Sequence, residues 1–229
     1  MTARRLPLFI VVEGLDGAGK STAARALAAE LTAVELKTPG AELAPLRGEI
    51  MRSLARSPLA TTLFYATAVA AASQQVTEYR AAGKPVVMDR YLLSTCAYGQ
   101  VVRSSQYPAG LLDELSSCLV PADLTVYLHA SRERRRERIL ARGYMVEEDR
   151  LSFELEVAER LHAAFGQLAE HRLTGRWLTI DTSACDVAGV VAQVMQALAG
   201  WGLLAESGGW LTGHASSSAS AVVLQGGAA

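Results

Sequence analysis

The stretch FIVVEGLDGAGKSTAARALAAEL, residues 9–31, joins an apolar run to a glycine-rich corner and then to a segment of Ala and Leu. Leu8 to Val12 is near-continuously apolar, the pattern of a strand covered on both faces. Ala23, Leu27 and Leu31 recur every four residues and line one side of a helix. Between them, Gly14 to Ser21 fits G-x-x-x-x-G-K-[ST], with the strand before and the helix after that a phosphate loop requires. Glycines let backbone N–H groups turn toward phosphate oxygens, and the helix N-terminus adds its positive dipole end. The candidate triphosphate-binding residues are therefore Gly14, Asp16, Gly17, Ala18, Gly19, Lys20, Ser21 and Thr22. Lys20 would reach the β- and γ-phosphates and Ser21 would ligate Mg²⁺. A chance glycine turn with an exposed lysine competes with this reading, and strand, motif and helix in order weigh against it.

Four more β-rich runs follow at Val34–Lys37, Pro85–Met88, Leu124–Leu128 and Trp177–Ile180. Helical patterns separate them. Ser57 caps one helix, with Pro58 at its first position and Gly83 past its end. Ser131 caps an Arg-rich helix ending at Gly143, and Asp149–Ala169 and Asp186–Ala199 are two more. Strands alternating with helices predict an α/β fold, a five-stranded parallel sheet covered by helices on both faces. Residues 1–206 read as one domain. The Gly-, Ser- and Ala-rich stretch 207–229 reads as a disordered tail.

The chain has 229 residues, 50% of them hydrophobic, enough for one sizeable core. A formal net charge of −1 gives no basic balance for nucleic acid or an anionic membrane, so anion binding must be local. The apolar run after Arg4 and Arg5 stops at Glu13, too soon for a signal peptide. No apolar stretch reaches the ~20 residues of a membrane span. Three scattered cysteines, Cys96, Cys118 and Cys185, fit a reducing cytoplasm.

Two further features carry charge. Asp89 ends PVVMD at the carboxyl edge of a strand, where a carboxylate either acts on Mg²⁺ or caps the strand. Arg132, Arg134, Arg135, Arg136, Arg138 and Arg142 crowd one helix. They read either as a solvated face paired with Glu133 and Glu137 or, through Arg135, Arg138 and Arg142 at i, i+3, i+7, as a lid over a phosphoryl group.

EGLDGAGKST, DRYLLSTCAY, and PADLTVYL followed by the Arg-rich segment stand in the order and spacing of the thymidylate kinase family of nucleoside monophosphate kinases. The chain resembles that family from about Phe9 to Leu198. The resemblance implies a phosphate-loop (P-loop NTPase-type) fold with a mobile lid and a cytoplasmic homodimer. It implies γ-phosphoryl transfer from ATP to dTMP with Mg²⁺. It also implies roles. Asp16 approaches the sugar 3′-hydroxyl, and Asp89 and Arg90 form the Asp-Arg pair, with Arg90 on the acceptor phosphate. Arg52 is a second phosphate-holding arginine, Tyr98 crowds the ribose 2′ position, Phe64 stacks on thymine, and Thr95 is a polar group near the base. Ala18 stands where some members place an arginine, which shifts weight to Arg138 and Arg142 on the lid. Lys20, Arg90, Arg138 and Arg142 are thus the candidate catalytic residues, and Ser21 and Asp89 the metal ligands.

The chain departs from the family at the base. The arginine of Phe-x-x-x-Arg is Ala68, and the Gln two residues on is Ala70. Lys37 and Thr38 replace the Arg and Glu of Arg-Glu-Pro-Gly, and His129 stands where Asp is common. A lost neutral hydrogen bond costs roughly 0.5–1.5 kcal/mol, so thymine still binds by stacking but is discriminated less. The departures leave two acceptors open: dTMP, with Arg103 or Gln74 supplying the missing donor, or a monophosphate with a modified or larger base against an Ala-rich wall at Ala66, Ala68, Ala70 and Ala71. A catalytically inactive nucleotide-binding regulator and a kinase of a non-nucleotide metabolite are the rival classes.

Overall fold

A computed structural model describes residues 7–103, 111–145, 150–204 and 222–223. In chain order its elements are β1 (Phe9–Gly14), α1 (Lys20–Glu30), β2 (Val34–Lys37), α2 (Arg47–Leu54), α3 (Pro58–Ala81), β3 (Val86–Asp89), α4 (Leu92–Val101), α5 (Leu111–Ser117), β4 (Leu124–His129), α6 (Arg132–Ala141), α7 (Leu155–Gln167), β5 (Arg176–Asp181), α8 (Val187–Gly200) and β6 (Val222–Val223). The sheet order is β2-β3-β1-β4-β5-β6, and every neighbouring pair is parallel. The five strands expected from sequence are all present, with ends shifted by a residue or two.

β1 is buried along its whole length, and its side chains alternate between two cores. Ile10 and Val12 pack with Leu27 of α1 and with Val190, Val194 and Leu198 of α8. Phe9 and Val11 pack on the other face with Val69 and Val76 of α3. Each such fully buried aliphatic or aromatic side chain contributes about 1.5–3 kcal/mol. Connections from β1 run to β2 and β3 on one side and to β4 and β5 on the other. The carboxyl ends of the central strands thus open into the crevice where such folds place their ligands.

The expected caps at Ser57 and Ser131 form, accepting from the Ala60 and Arg134 N–H groups, and Asp186 also caps its helix by accepting from Gly189. Among the described residues, α7 begins at Leu155; Asp149, the expected start, lies outside them. The tail reading also falls outside them, except that Val222 and Val223 pair with Leu178 and Thr179 of β5. No helix among the described residues is long and apolar enough to cross a membrane.

The helix α4 has no counterpart in the sequence pattern, because every residue in it except Gln100 is buried and no polar face marks its period. Its N-terminus is capped from another strand. The buried Glu13 carboxylate accepts from the Tyr91 N–H at 2.9 Å, the Ser94 N–H at 3.2 Å and the Ser94 hydroxyl at 2.5 Å.

A second polar tie holds the amino end of the sheet. Arg80, buried on α3, donates Nε to the Pro7 carbonyl at 2.6 Å and Nη2 to Asp123 at 3.0 Å. Asp123 also accepts the Phe9 N–H at 2.7 Å. Removing one member of such a pair strands its partner's charge. Arg80→Ala should lower unfolding free energy by about 3 kcal/mol in urea titration; an unchanged midpoint would remove this tie from the account.

Candidate active site

The loop between β1 and α1 turns on glycines in left-handed backbone, Gly14 at φ 140° and Gly17 at φ 80°. A Cβ at Gly14 would meet the Leu128 carbonyl at 2.3 Å, and one at Gly17 the Arg135 carbonyl at 2.6 Å. Gly14 lies buried at the strand end, while Gly17 to Thr22 line a cavity of about 540 Å³. No side chain caps α1, whose first residue is Lys20. That end has the concave form and uncapped helix start that suit an anion.

A second cavity, of about 270 Å³, lies beside the first. Asp16, Lys37, Arg90 and Arg142 line both, so the two meet at a shared wall of charge. Arg90 follows β3 with φ 70°, rare for a residue with a Cβ. Its guanidinium pairs with Asp16 and donates to the Ser94 hydroxyl at 3.0 Å. The Tyr98 hydroxyl donates to the other Asp16 oxygen at 2.7 Å. Burial disfavours both charges, but their mutual attraction outweighs it. Asp16 is held well below the usual carboxylate range, and Arg90 is held more firmly protonated than a free guanidinium. Burial and the nearby Asp16 charge raise the Tyr98 phenol, which stays a neutral donor.

Lys20 is 7% exposed and donates to the Leu15 carbonyl at 2.7 Å. Burial, helped by the Arg90 charge, pushes its ammonium down to about 8 against the pull of Asp16, Asp89 and Glu13. Asp89 ends β3 beside it. One carboxylate oxygen accepts from the Ser21 hydroxyl at 2.5 Å and pairs with Lys37 at 3.1 Å. The other is buried and accepts no hydrogen bond among the described residues. Burial raises the Asp89 pKa, yet Lys20 and Lys37 outweigh it and the group is lowered.

The arginines of α6 divide. Arg135, 1% exposed, donates to the Asp16 carbonyl at 2.7 Å and to Ser152, and its guanidinium lies over the Phe153 ring. Arg138 donates to Thr182 at 2.7 and 3.0 Å and to the Gly17 and Ala18 carbonyls at 3.3 Å. Arg142 is exposed, donates to the Tyr144 carbonyl and covers the Tyr144 ring at 4.2 Å. The one face expected at i, i+3, i+7 is thus split between core, loop and cavity rim.

Of the acceptor-side residues, Thr95 and Tyr98 line the second cavity with Asp16 and Arg90. Arg52 is exposed on α2, and Phe64 packs edge-on against Tyr65 at 5.4 Å; neither is among the lining residues. The Ala-rich wall does not form, since Ala66 and Ala68 are buried, Ala70 and Ala71 are exposed, and none lines the cavity. Tyr65, Arg47 and Arg103 line it instead. Thr38 turns its hydroxyl inward to Met88. Glu13 and Thr182 had no marked role in the sequence, and Arg135, read there only as part of a lid face, is a buried tie instead. The signal was faint: an acid inside an apolar strand and a threonine after a strand.

A phosphate loop facing one cavity and an Asp-Arg pair shared with its neighbour define a phosphate-loop phosphotransferase. The thymidylate kinase family model matches residues 12–193, and the chain belongs to that family of nucleoside monophosphate kinases. It is 32% identical over 199 residues to the thymidylate kinase of Synechococcus sp. (strain RCC307), covering 76% of this chain and 88% of that one. It is 35% identical over 190 residues to that of Cereibacter sphaeroides (strain ATCC 17029 / ATH 2.4.9), covering 76% and 87%. The fold is similar to that of Candida albicans thymidylate kinase, with TM-score 0.66 and 22% identity over 85% of this chain and 92% of that one.

An anionic ligand binds best to the ammonium form of Lys20, so binding a triphosphate should raise the lysine's pKa. Affinity for ATP should then be highest below, and fall as pH rises through, about 8. Calorimetry in buffers of different ionisation enthalpy should show proton uptake in that range. Lys20→Met should abolish the uptake, and a wild type that takes up no proton would refute the depressed value.

Proposed function

We propose that the chain transfers the γ-phosphoryl group of ATP to dTMP, giving dTDP and ADP, by direct in-line displacement. The observation that carries this reading is the wall of Asp16, Lys37, Arg90 and Arg142 common to two cavities, one of which opens on the phosphate loop. A donor in one cavity and an acceptor in the other would face each other across it. Phosphoryl transfer needs that positioning and neutralised charge more than a protein nucleophile.

In this reading Lys20 and the amides of Gly17 to Thr22 hold the triphosphate, and Arg90 holds the acceptor phosphate. Asp16 takes the sugar 3′-hydroxyl beside Tyr98, whose ring fills the space a 2′-hydroxyl would need. Arg138 and Arg142 supply the positive charge that Ala18 does not. Arg52, exposed on α2 and outside both linings, takes no part in this reading. The Ser21 hydroxyl and the Asp89 carboxylate fit Mg²⁺: they are hard oxygen donors at the loop, and one buried Asp89 oxygen lacks a hydrogen bond among the described residues. The ion, when bound, would neutralise phosphate charge. Leu59 and Leu63, exposed one turn apart on α3, supply an apolar face suited to a homodimer. A cytoplasmic location belongs to the same reading.

Family membership favours dTMP over another acceptor, and the cluster of Lys20, Ser21, Asp89 and Arg90 favours catalysis over a silent regulator. ADP release should be measured against dTMP, dUMP, dCMP, dGMP and dAMP. dTMP should give the highest kcat/KM, and Lys20→Ala should lower kcat by roughly 10²–10³-fold. Turnover of every monophosphate except dTMP, or wild-type rates in Lys20→Ala, would overturn the proposal. Asp89→Asn should weaken Mg²⁺-dependent ATP binding in calorimetry while leaving Mg²⁺-free binding in place; equal loss in both would deny it a metal role.

A further inference from the structure

Ala68 in the middle of α3, where the resemblance would put a base-reading arginine, is buried and does not line the acceptor-side cavity. Gln74 is exposed, donates to Glu78 and is not a lining residue. The cavity does hold a guanidinium away from the phosphate-side charges, that of Arg103, just past the end of α4. Its Nε donates to the Thr62 hydroxyl at 3.2 Å and its Nη2 to the Thr95 carbonyl at 3.1 Å. It also lies 5.1 Å from the centre of the Tyr65 ring. Arg47 fixes that ring from its far end, donating to the Tyr65 hydroxyl at 2.9 Å. Gly99, one turn before Arg103, leaves room for these contacts: a Cβ there would stand 3.3 Å from the Thr62 hydroxyl and 3.6 Å from Arg103 Nη2.

Resting on the acceptor assignment above, we infer that Arg103 is the specificity-determining residue that reads the acceptor base, with Tyr65 as the ring beside it. A guanidinium only donates. It therefore favours thymine or uracil over cytosine where it meets C4 of the base, which carries a carbonyl in the first two and an amino group in the third. A donor just past the end of α4 thus serves the pocket that Ala68 of α3 does not line.

The test is steady-state kinetics with dTMP and dCMP for wild type, Arg103→Ala, Arg103→Lys and Thr62→Val, each checked by thermal melting. Arg103→Ala should raise KM for dTMP roughly tenfold to a hundredfold, the loss of a charged donor, with a much smaller change in kcat. Its dTMP over dCMP preference should collapse by a similar factor, and Arg103→Lys should recover part of it. Thr62→Val loses the α3–α4 tie but keeps the guanidinium, and should retain the preference. A full preference in Arg103→Ala, or an equal loss in Thr62→Val, would overturn the inference while the dTMP reading stands. A wild type without dTMP turnover would overturn that reading and this one together.

Discussion

The buried charge pair of Asp16 and Arg90 is the constraint on which the site depends. Each residue leaves the carboxyl end of a different strand, and the parallel register of β1 and β3 brings the two corners together. The pair is costly. Both groups are removed from water, and Arg90 adopts a left-handed backbone that its side chain disfavours. Buried ion pairs can often be replaced by apolar residues of similar size with no loss of stability. Placing one at the wall between two cavities, satisfied by Tyr98 and Ser94, is what a binding site requires rather than what a core requires.

That pair is in turn positioned by Glu13 and Arg135, which line neither cavity, and the loop beside it by Thr182, which lines the larger one. Glu13 reaches from β1 to the first turn of α4 and fixes the corner from which Arg90 projects. Arg135 crosses from α6 to the Asp16 carbonyl and fixes the other corner. Thr182, after β5, donates to the Ala18 carbonyl at 2.9 Å and accepts from Arg138. The phosphate loop is therefore clamped by neighbours on several elements, consistent with a site that has to present its amides without rearranging.

The second cavity shows how residues from several elements come to line one space. In the Ala-rich middle of α3, Ala66 and Ala68 pack inward, and the polar lining comes from Arg47, Tyr65, Thr95 and Arg103. Elements that face one another reach the same space, so its polar lining is drawn from α2, α3, α4 and the segment just past α4.

Much of this was legible in the linear chain. An apolar run, a glycine corner ending in Lys-Ser and an Ala/Leu helix sufficed for β1, the loop and α1, because each rests on local backbone geometry and hydrophobic period. The same local rules revealed the five parallel strands and the caps at Ser57 and Ser131. They could not reveal α4, whose all-buried residues have no polar face, nor the cap that Glu13 provides, which joins residues 78 and 81 positions apart. Nor could they sort the arginines of α6 into one buried tie, one loop contact and one at the rim, since sequence gives the face of a helix but not what that face meets. Local propensity and pattern determined the elements and the phosphate loop; long-range packing decided which charges meet, because burial and partner identity are properties of the assembled chain.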